Sequence, residues 1–201
     1  SISITGTGAL AFSNPSAHGT IIILKSQGNV TITSSANPTI DVRNLGGNTA
    51  SYGLGLASNS GPGITNCLGG GVVSGGQQCQ TNLLINGKMI KIGCGGGGGT
   101  GSRNAFDAQT YAGGRGGGGL YIECKGALNF GASSTINANG TAGTYASQLD
   151  GAGGGGGGGG GSVLILYNTL TANSGTITAA GGNGGASLVR AGGSGGSANT
   201  G

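Results

Sequence analysis

Glycine accounts for 53 of the 201 residues, while proline contributes three, and 8 Lys+Arg against 4 Asp+Glu leave a formal charge of +4. Scarce proline and no sustained Gly-X-Y period exclude collagen, and a chain that is 35% hydrophobic and only 6% charged lacks the polar, charged make-up of ordinary disorder. A quarter of the chain brings no side chain to a core, so any core is thin.

In chain order, the apolar runs read as β-strands. Ser1-Ile2-Ser3-Ile4-Thr5 alternates with period 2, as a half-buried strand does. Thr20–Lys25 is a continuous β-branched run, expected to be covered on both faces. Val30–Thr33 and Thr39–Arg43 alternate again, and Asp41 and Arg43, two apart, share one face, as a solvated or intersubunit pair. Leu83–Ile85, Met89–Ile92, Leu120–Cys124 and Ser162–Tyr167 follow. No window has a helical period and glycine is costly in helices, so essentially no helix is expected. The fold class is all-β: short stacked strands, sandwich-like or solenoid-like, in one domain spanning 1–201. Its 1–94 part is strand-rich and its 95–201 part carries 36 of the glycines.

An internal repeat is visible. Leu120–Cys124, Leu128–Phe130 and Thr135–Gly140 recur as Val163–Tyr167, Leu170–Ala172 and Thr176–Gly181, offset by 43 residues at the first strand and 41 at the third. Ile22–Leu24, Val30–Ile32 and Thr39–Val42 form a degenerate earlier copy. Such units bury their faces only by stacking. Before the repeats run glycine tracts, Gly95–Gly99, Gly113–Gly119 (broken by Arg115) and Gly151–Gly161 (broken by Ala152), with a glycine-rich tail from Gly181. Either they are flexible linkers, or they form polyglycine-II, extended strands whose backbones bond to neighbours because no Cβ intervenes.

Chemistry-bearing residues are few. One histidine (His18) and four acids (Asp41, Asp107, Glu123, Asp150) are a poor set for acid–base catalysis, so neither an enzyme nor a cofactor is expected. His18 reads as a surface turn residue. Gly87-Lys88-Met89 lacks the Ser/Thr of a phosphate loop. Cations scattered from Lys25 to Arg190 make no basic stripe, hence no nucleic-acid partner. No run of about 18 apolar residues spans a membrane. The Ser1 start without a signal peptide suggests a processed or trimmed chain.

Cys67, Cys79, Cys94 and Cys124 are even in number, as in oxidised secreted proteins. Pairings Cys67–Cys79 and Cys94–Cys124 are favoured, free thiols being the alternative; without C-x2-C spacing a metal site is not expected. Asn29-Val30-Thr31 and Asn139-Gly140-Thr141 are glycosylation sequons. Ser102–Ala112 and Thr144–Asp150 are the patches between tracts, where Arg103, Phe106, Tyr111 and Tyr145 are candidate binding residues on displayed loops. Threonines alternating at Thr31/Thr33, Thr5/Thr7 and Thr176/Thr178 suit an ice-binding array or plain β propensity.

Gly153–Tyr167, Leu170–Ala172 and Ile177–Gly185, over roughly the last half of the chain, resemble the glycine-rich repeat proteins of microbial surfaces and phage fibres. The tracts are similar to the polyglycine-II strands of phage tail-fibre tip adhesins, and more faintly to the springtail antifreeze proteins. The resemblance implies an extracellular, cell-surface or virion protein. The preferred reading is a self-assembling filament or surface-layer subunit, with Ser1–Thr5 donated as a strand to a neighbour. The alternative is an adhesin binding a cell-surface receptor through its loops, and the third is an ice-binding protein.

Overall fold

The computed structural model describes residues 1–16, 19–46, 78–85, 88–96, 102–103, 110–111, 114–144 and 157–186. Among these, every regular element is a strand and there is no helix: β1 (Ile2–Ile4), β2 (Leu10–Ala11), β3 (Ile21–Ser26), β4 (Val30–Ile32), β5 (Ile40–Asp41), β6 (Gln78–Ile85), β7 (Lys88–Gly96), β8 (Ser102–Arg103), β9 (Thr110–Tyr111), β10 (Gly119–Phe130), β11 (Thr135–Asn137), β12 (Ser162–Asn173) and β13 (Thr176–Thr178).

Three stretches of chain repeat one path. β3 and β4, joined by a short turn, lie parallel to the two halves of the longer β10: Leu120 pairs with Ile22, and Leu128 with Val30. β12 lies on the other edge of β10 along its whole length, Leu120 opposite Val163. In a second parallel sheet β11 lies between β5 and β13, with Ile136 opposite both Ile40 and Ile177. The 43- and 41-residue spacings of the repeat are therefore the inter-strand register itself. β1 and β2 add one more layer, on β4 and β5. Three layers thus have a first side (β3, residues 119–124, residues 162–167), and all four have a second (β1, β4, residues 128–130, residues 169–173) and a third (β2, β5, β11, β13). The parallel sheets curl round a common interior, whereas β6–β7 and β8–β9 are antiparallel hairpins.

The alternation of each strand supplies that interior. Rows of like residues stack from layer to layer: Ile22–Leu120–Val163 and Leu24–Ile122–Ile165 on the first side, Ile2–Val30–Leu128–Leu170 on the second, Leu10–Ile40–Ile136–Ile177 on the third. The middle members are buried and form one cluster with Ile32, Val42, Leu45, Cys124, Phe130 and Ala138. Burying such aliphatic side chains contributes roughly 1.5–3 kcal/mol each.

The corners are closed by small polar residues. The Ser34 hydroxyl donates to Gly8 O, and the buried Ser134 hydroxyl donates to Ile32 O (3.0 Å) and Ser34 O (3.1 Å). At the equivalent corner of the last layer Ser174 N donates to Phe130 O (2.9 Å). Left-handed backbone at Gly6 (φ 64°) and Asn44 (φ 59°) lets the chain turn where most side chains would be strained.

One expectation needs correction. β3 is not covered on both faces: it pairs only with β10, and Ile23 on its outward face is 49% exposed. Its register partner Tyr121, one strand further in, is fully buried. Cys124, expected to pair with Cys94, stands as a buried free thiol, its Sγ 3.4 Å from the carbonyls of Gly28 and Ala127. That row runs Ser26–Cys124–Tyr167 across the layers, so the sulfur faces the corner of its own stack.

Candidate functional site

What sets this molecule apart is the layer of extended backbone that closes each turn of the stack. Residues 42–46, 138–144 and 179–186 lead away from the third side. Residues 19–20, 114–118 and 157–161 lead into the first. The two groups run in opposite directions. Val42 O accepts from Gly118 N (2.8 Å) while Gly46 N donates to Gly116 O (2.9 Å), and Ala138 O accepts from Gly161 N (2.7 Å) while Thr141 O accepts from Gly158 N (2.9 Å). Within a group the segments run alike: Gly140 N donates to Ala180 O and Gly143 N to Asn183 O, both at 2.9 Å, three residues apart on both segments.

Segment 114–118 therefore bonds to three neighbours: 42–46, 138–141 and 157–161, the last through Gly117 N to Gly159 O (3.0 Å). Segment 157–161 likewise meets 114–118, 138–141 and, through Gly182 N to Gly158 O (2.7 Å), residue 182. A strand in a sheet has two neighbours; three require backbone to approach from a direction that a Cβ normally occupies. A Cβ on Gly117 would collide with Ala138 O and stand 2.6 Å from Gly161 N, and one on Gly114 would stand 2.7 Å from Gly158 N. Glycine recurs every third residue at the crowded positions Gly114/Gly117, Gly158/Gly161 and Gly182/Gly185.

Arg115, which interrupts the tract, faces out of this array. Its Nε donates to Gly46 O (3.1 Å) and a terminal nitrogen to Ser16 O (2.7 Å), tying the layer to the N-terminal segment. Burial draws its pKa below the usual arginine value. Thr141 exchanges bonds with the Arg115 backbone, Arg115 N to Oγ1 (2.7 Å) and Oγ1 to Arg115 O (3.1 Å). The sequence offered Arg115 only as a break in a glycine run and Thr141 only as part of a sequon, because nothing local marks either as an anchor.

Among the described residues the outward faces carry two ion pairs. Asp41 and Arg43 make a fork, Nε to Oδ1 at 2.9 Å and a terminal nitrogen to Oδ2 at 2.7 Å. The hydrogen bonds from Arg43 hold the Asp41 carboxyl below the ordinary aspartate value. Lys25 lies 3.2 Å from Glu123, whose Oε2 also accepts from the Tyr121 hydroxyl (3.1 Å). Those two bonds lower the Glu123 pKa, Lys25 contributing most, and burial raises that of Tyr121. A shallow open groove of about 520 Å³ follows, lined by Glu123, Cys124, Lys125, Leu166, Tyr167 and Asn168.

Of the residues singled out in the sequence, Ser1–Thr5 is engaged within its own chain, β1 lying parallel to β4 with Ile2 opposite Val30. Asn29 Oδ1 accepts from Ala127 N (3.0 Å) and Asn139 Oδ1 from Ala180 N (2.8 Å), so both sequon side chains bridge adjacent layers. Cys79 and Cys94 lie on β6 and β7, and Arg103 and Tyr111 on the paired β8 and β9. Cys67, Phe106, Tyr145, His18, Asp107 and Asp150 lie outside the described residues. Among the described residues no group of His, Cys, Asp and Glu is arranged to hold a metal, and no helix is long and apolar enough to cross a membrane.

A buried free thiol reacts slowly. Alkylation followed by peptide mapping is expected to leave Cys124 unlabelled in the native protein and to label it fully in denaturant without reductant. Labelling only after reduction would place it in a disulfide.

Comparison with protein-family models, with characterised proteins and with solved structures gives no match for this chain.

Proposed function

We propose that this chain is a structural subunit of a secreted extracellular filament or surface assembly, with other copies of itself as partner. In this reading it is a short β-solenoid backed by a polyglycine-II layer. The observation that carries it is where the polar groups are spent. Ser34, Ser134, Asn29, Asn139, Thr141 and Arg115 all bond to backbone groups of another layer or segment. Side chains that in an enzyme would converge on a substrate here lock neighbouring segments together. The three-way bonding of the glycine segments adds stiffness without side-chain bulk.

A second reading, a receptor-binding adhesin, is favoured by one feature. The chain departs after Gly46 and returns at Gly114, yet Gly46 N bonds Gly116 O. Between them lie residues 47–113, which carry the β6–β7 and β8–β9 pairs, and β7 lies against β10 and β12 of the stack. Displayed loops on a rigid frame commonly bind partners. Immunogold labelling of the native source separates the readings. Gold along filaments or across a surface layer is the expected result, gold confined to fibre tips supports the adhesin, and a dispersed monomer contradicts both.

A further inference from the structure

Every interior layer is sealed by the next one along the stack, and among the described residues the rows stop at the last. The second-side row ends in Leu170, 40% exposed, and the third-side row in Ile177, 45% exposed, whereas Leu128 and Ile136 one layer inward are buried. Among the described residues, β12 and β13 each pair on one edge only, with β10 and β11. At the opposite end the same rows begin with Ile2 and Leu10, both only partly buried, on β1 and β2.

We propose that a second copy of this chain docks head to tail, by translation along the stack, with residues 169–173 of β12 and with β13 of one copy lying against β1 and β2 of the next. This rests on the reading of the chain as a self-assembling structural subunit and specifies its contact. The rows that end in Leu170 and Ile177 are continued in kind by Ile2 and Leu10, so the translated copy restores the covering each inner layer has. All pairings in the two curled sheets are parallel. A translated copy preserves that sense, whereas a two-fold-related copy would present its strands reversed.

The backbone at the leading edge is oriented for the contact. Ile2 N donates to Asn29 O (2.9 Å) and Ile4 O accepts from Thr33 N (2.9 Å), so residues 2 and 4 face β4. The alternation of a parallel ladder turns the Ser3 amide and carbonyl to the other side. On β13, Thr176 N donates to Ser134 O and Thr178 O accepts from Ala138 N, which turns the Ile177 groups outward in the same way. Among the described residues the second and third sides hold four layers, giving a rise per subunit of about 19 Å at ~4.8 Å per strand. On the first side that rise leaves one strand-width between β12 and the next β3, flanked by Ile23 and Tyr167, 49% and 47% exposed. Such a contact is heterologous and does not close, so it propagates as a filament.

The test uses the full chain with each end blocked separately. Leu170→Lys with Ile177→Lys charges the trailing end, and Ser3→Pro removes the outward amide at the leading end; circular dichroism checks folding. Ile177→Pro repeats the trailing arm should the double lysine variant not fold. The wild type is expected to form filaments with a rise of about 19 Å. Each variant alone is expected to sediment as a monomer, and an equimolar mixture as heterodimers that grow no further, because each partner keeps one good end. Filaments persisting in folded variants, a mixture that stays monomeric, or a different rise would overturn the head-to-tail contact while leaving self-assembly standing. A wild type that remains monomeric at every concentration overturns both.

Discussion

Replacing Gly117 with alanine is expected to lower the unfolding free energy by about 3 kcal/mol, at the upper end of typical overpacking costs. The added methyl would collide with Ala138 O and stand 2.6 Å from Gly161 N, and both obstacles are backbone. A side chain could rotate away; a backbone segment held on several sides cannot. Gly117 N also donates to Gly159 O, so a local shift would weaken the bond that aligns two glycine segments. Gly28→Ala is the control, because its methyl would meet only Ser1 atoms, the nearest at 3.7 Å, an ordinary contact. Denaturant unfolding of the pair measures the difference. Equal stability of the two variants would mean that the glycine layer does not pack as described.

Phe130→Ala is expected to cost about 3–5 kcal/mol, the range for emptying a buried aromatic site. Phe130 is among the largest fully buried side chains and sits where β4, β10 and β12 meet, opposite Ile32 and Asn173. Gly175 of the next layer lies directly on its ring, so close that a Cβ there would strike it. The Phe130 carbonyl also accepts from Ser174 N (2.9 Å) and Gly175 N (3.2 Å). The ring therefore fills a space shaped by a turn lacking the atoms to collapse into the void. Leu170→Ala, at an open position of the same stack, is expected to cost far less in the monomer. Thermal or chemical unfolding distinguishes the two, and a mild effect at Phe130 would argue against the layered interior.

Much of this architecture was legible in the order of residues, for a local reason. Strand character is a property of a few consecutive side chains, alternating at Ile2–Ile4 and Val30–Ile32 and continuously β-branched at Ile21–Ile23, so these strands were readable one at a time. The repeat was readable because parallel stacking in register places like residue above like, and the spacing between copies becomes the register. The all-β, helix-free character of the described residues follows from the same two features. β2, only Leu10–Ala11, has too few residues to declare a period.

Other properties depend on which layer a residue occupies, and composition cannot carry that information. Ile23 and Tyr121 hold the same place in successive copies, yet one is half exposed and the other buried, because β10 is flanked by β3 and β12 and has β7 against it, whereas β3 is an edge strand. Cys124 offered the same local appearance as a bridging cysteine; the row beneath it, Ser26–Cys124–Tyr167, directs its sulfur into the corner of its own stack. Ser1–Thr5 read as a strand to be given away, and it is seated on β4 of its own chain, with one edge left over.

Residue order alone shows that this chain builds strands, that it repeats, and that glycine is concentrated between the repeats. What the glycine does emerges only from the packing of the layers. A glycine run has no side-chain pattern to announce its neighbours; its partners are fixed by the strands on either side, which bring Gly114–Gly118 and Gly157–Gly161 to the same level as residues 138–144. At that distance the absence of a Cβ becomes a geometric necessity, since three backbones converge where any other residue would hold them apart.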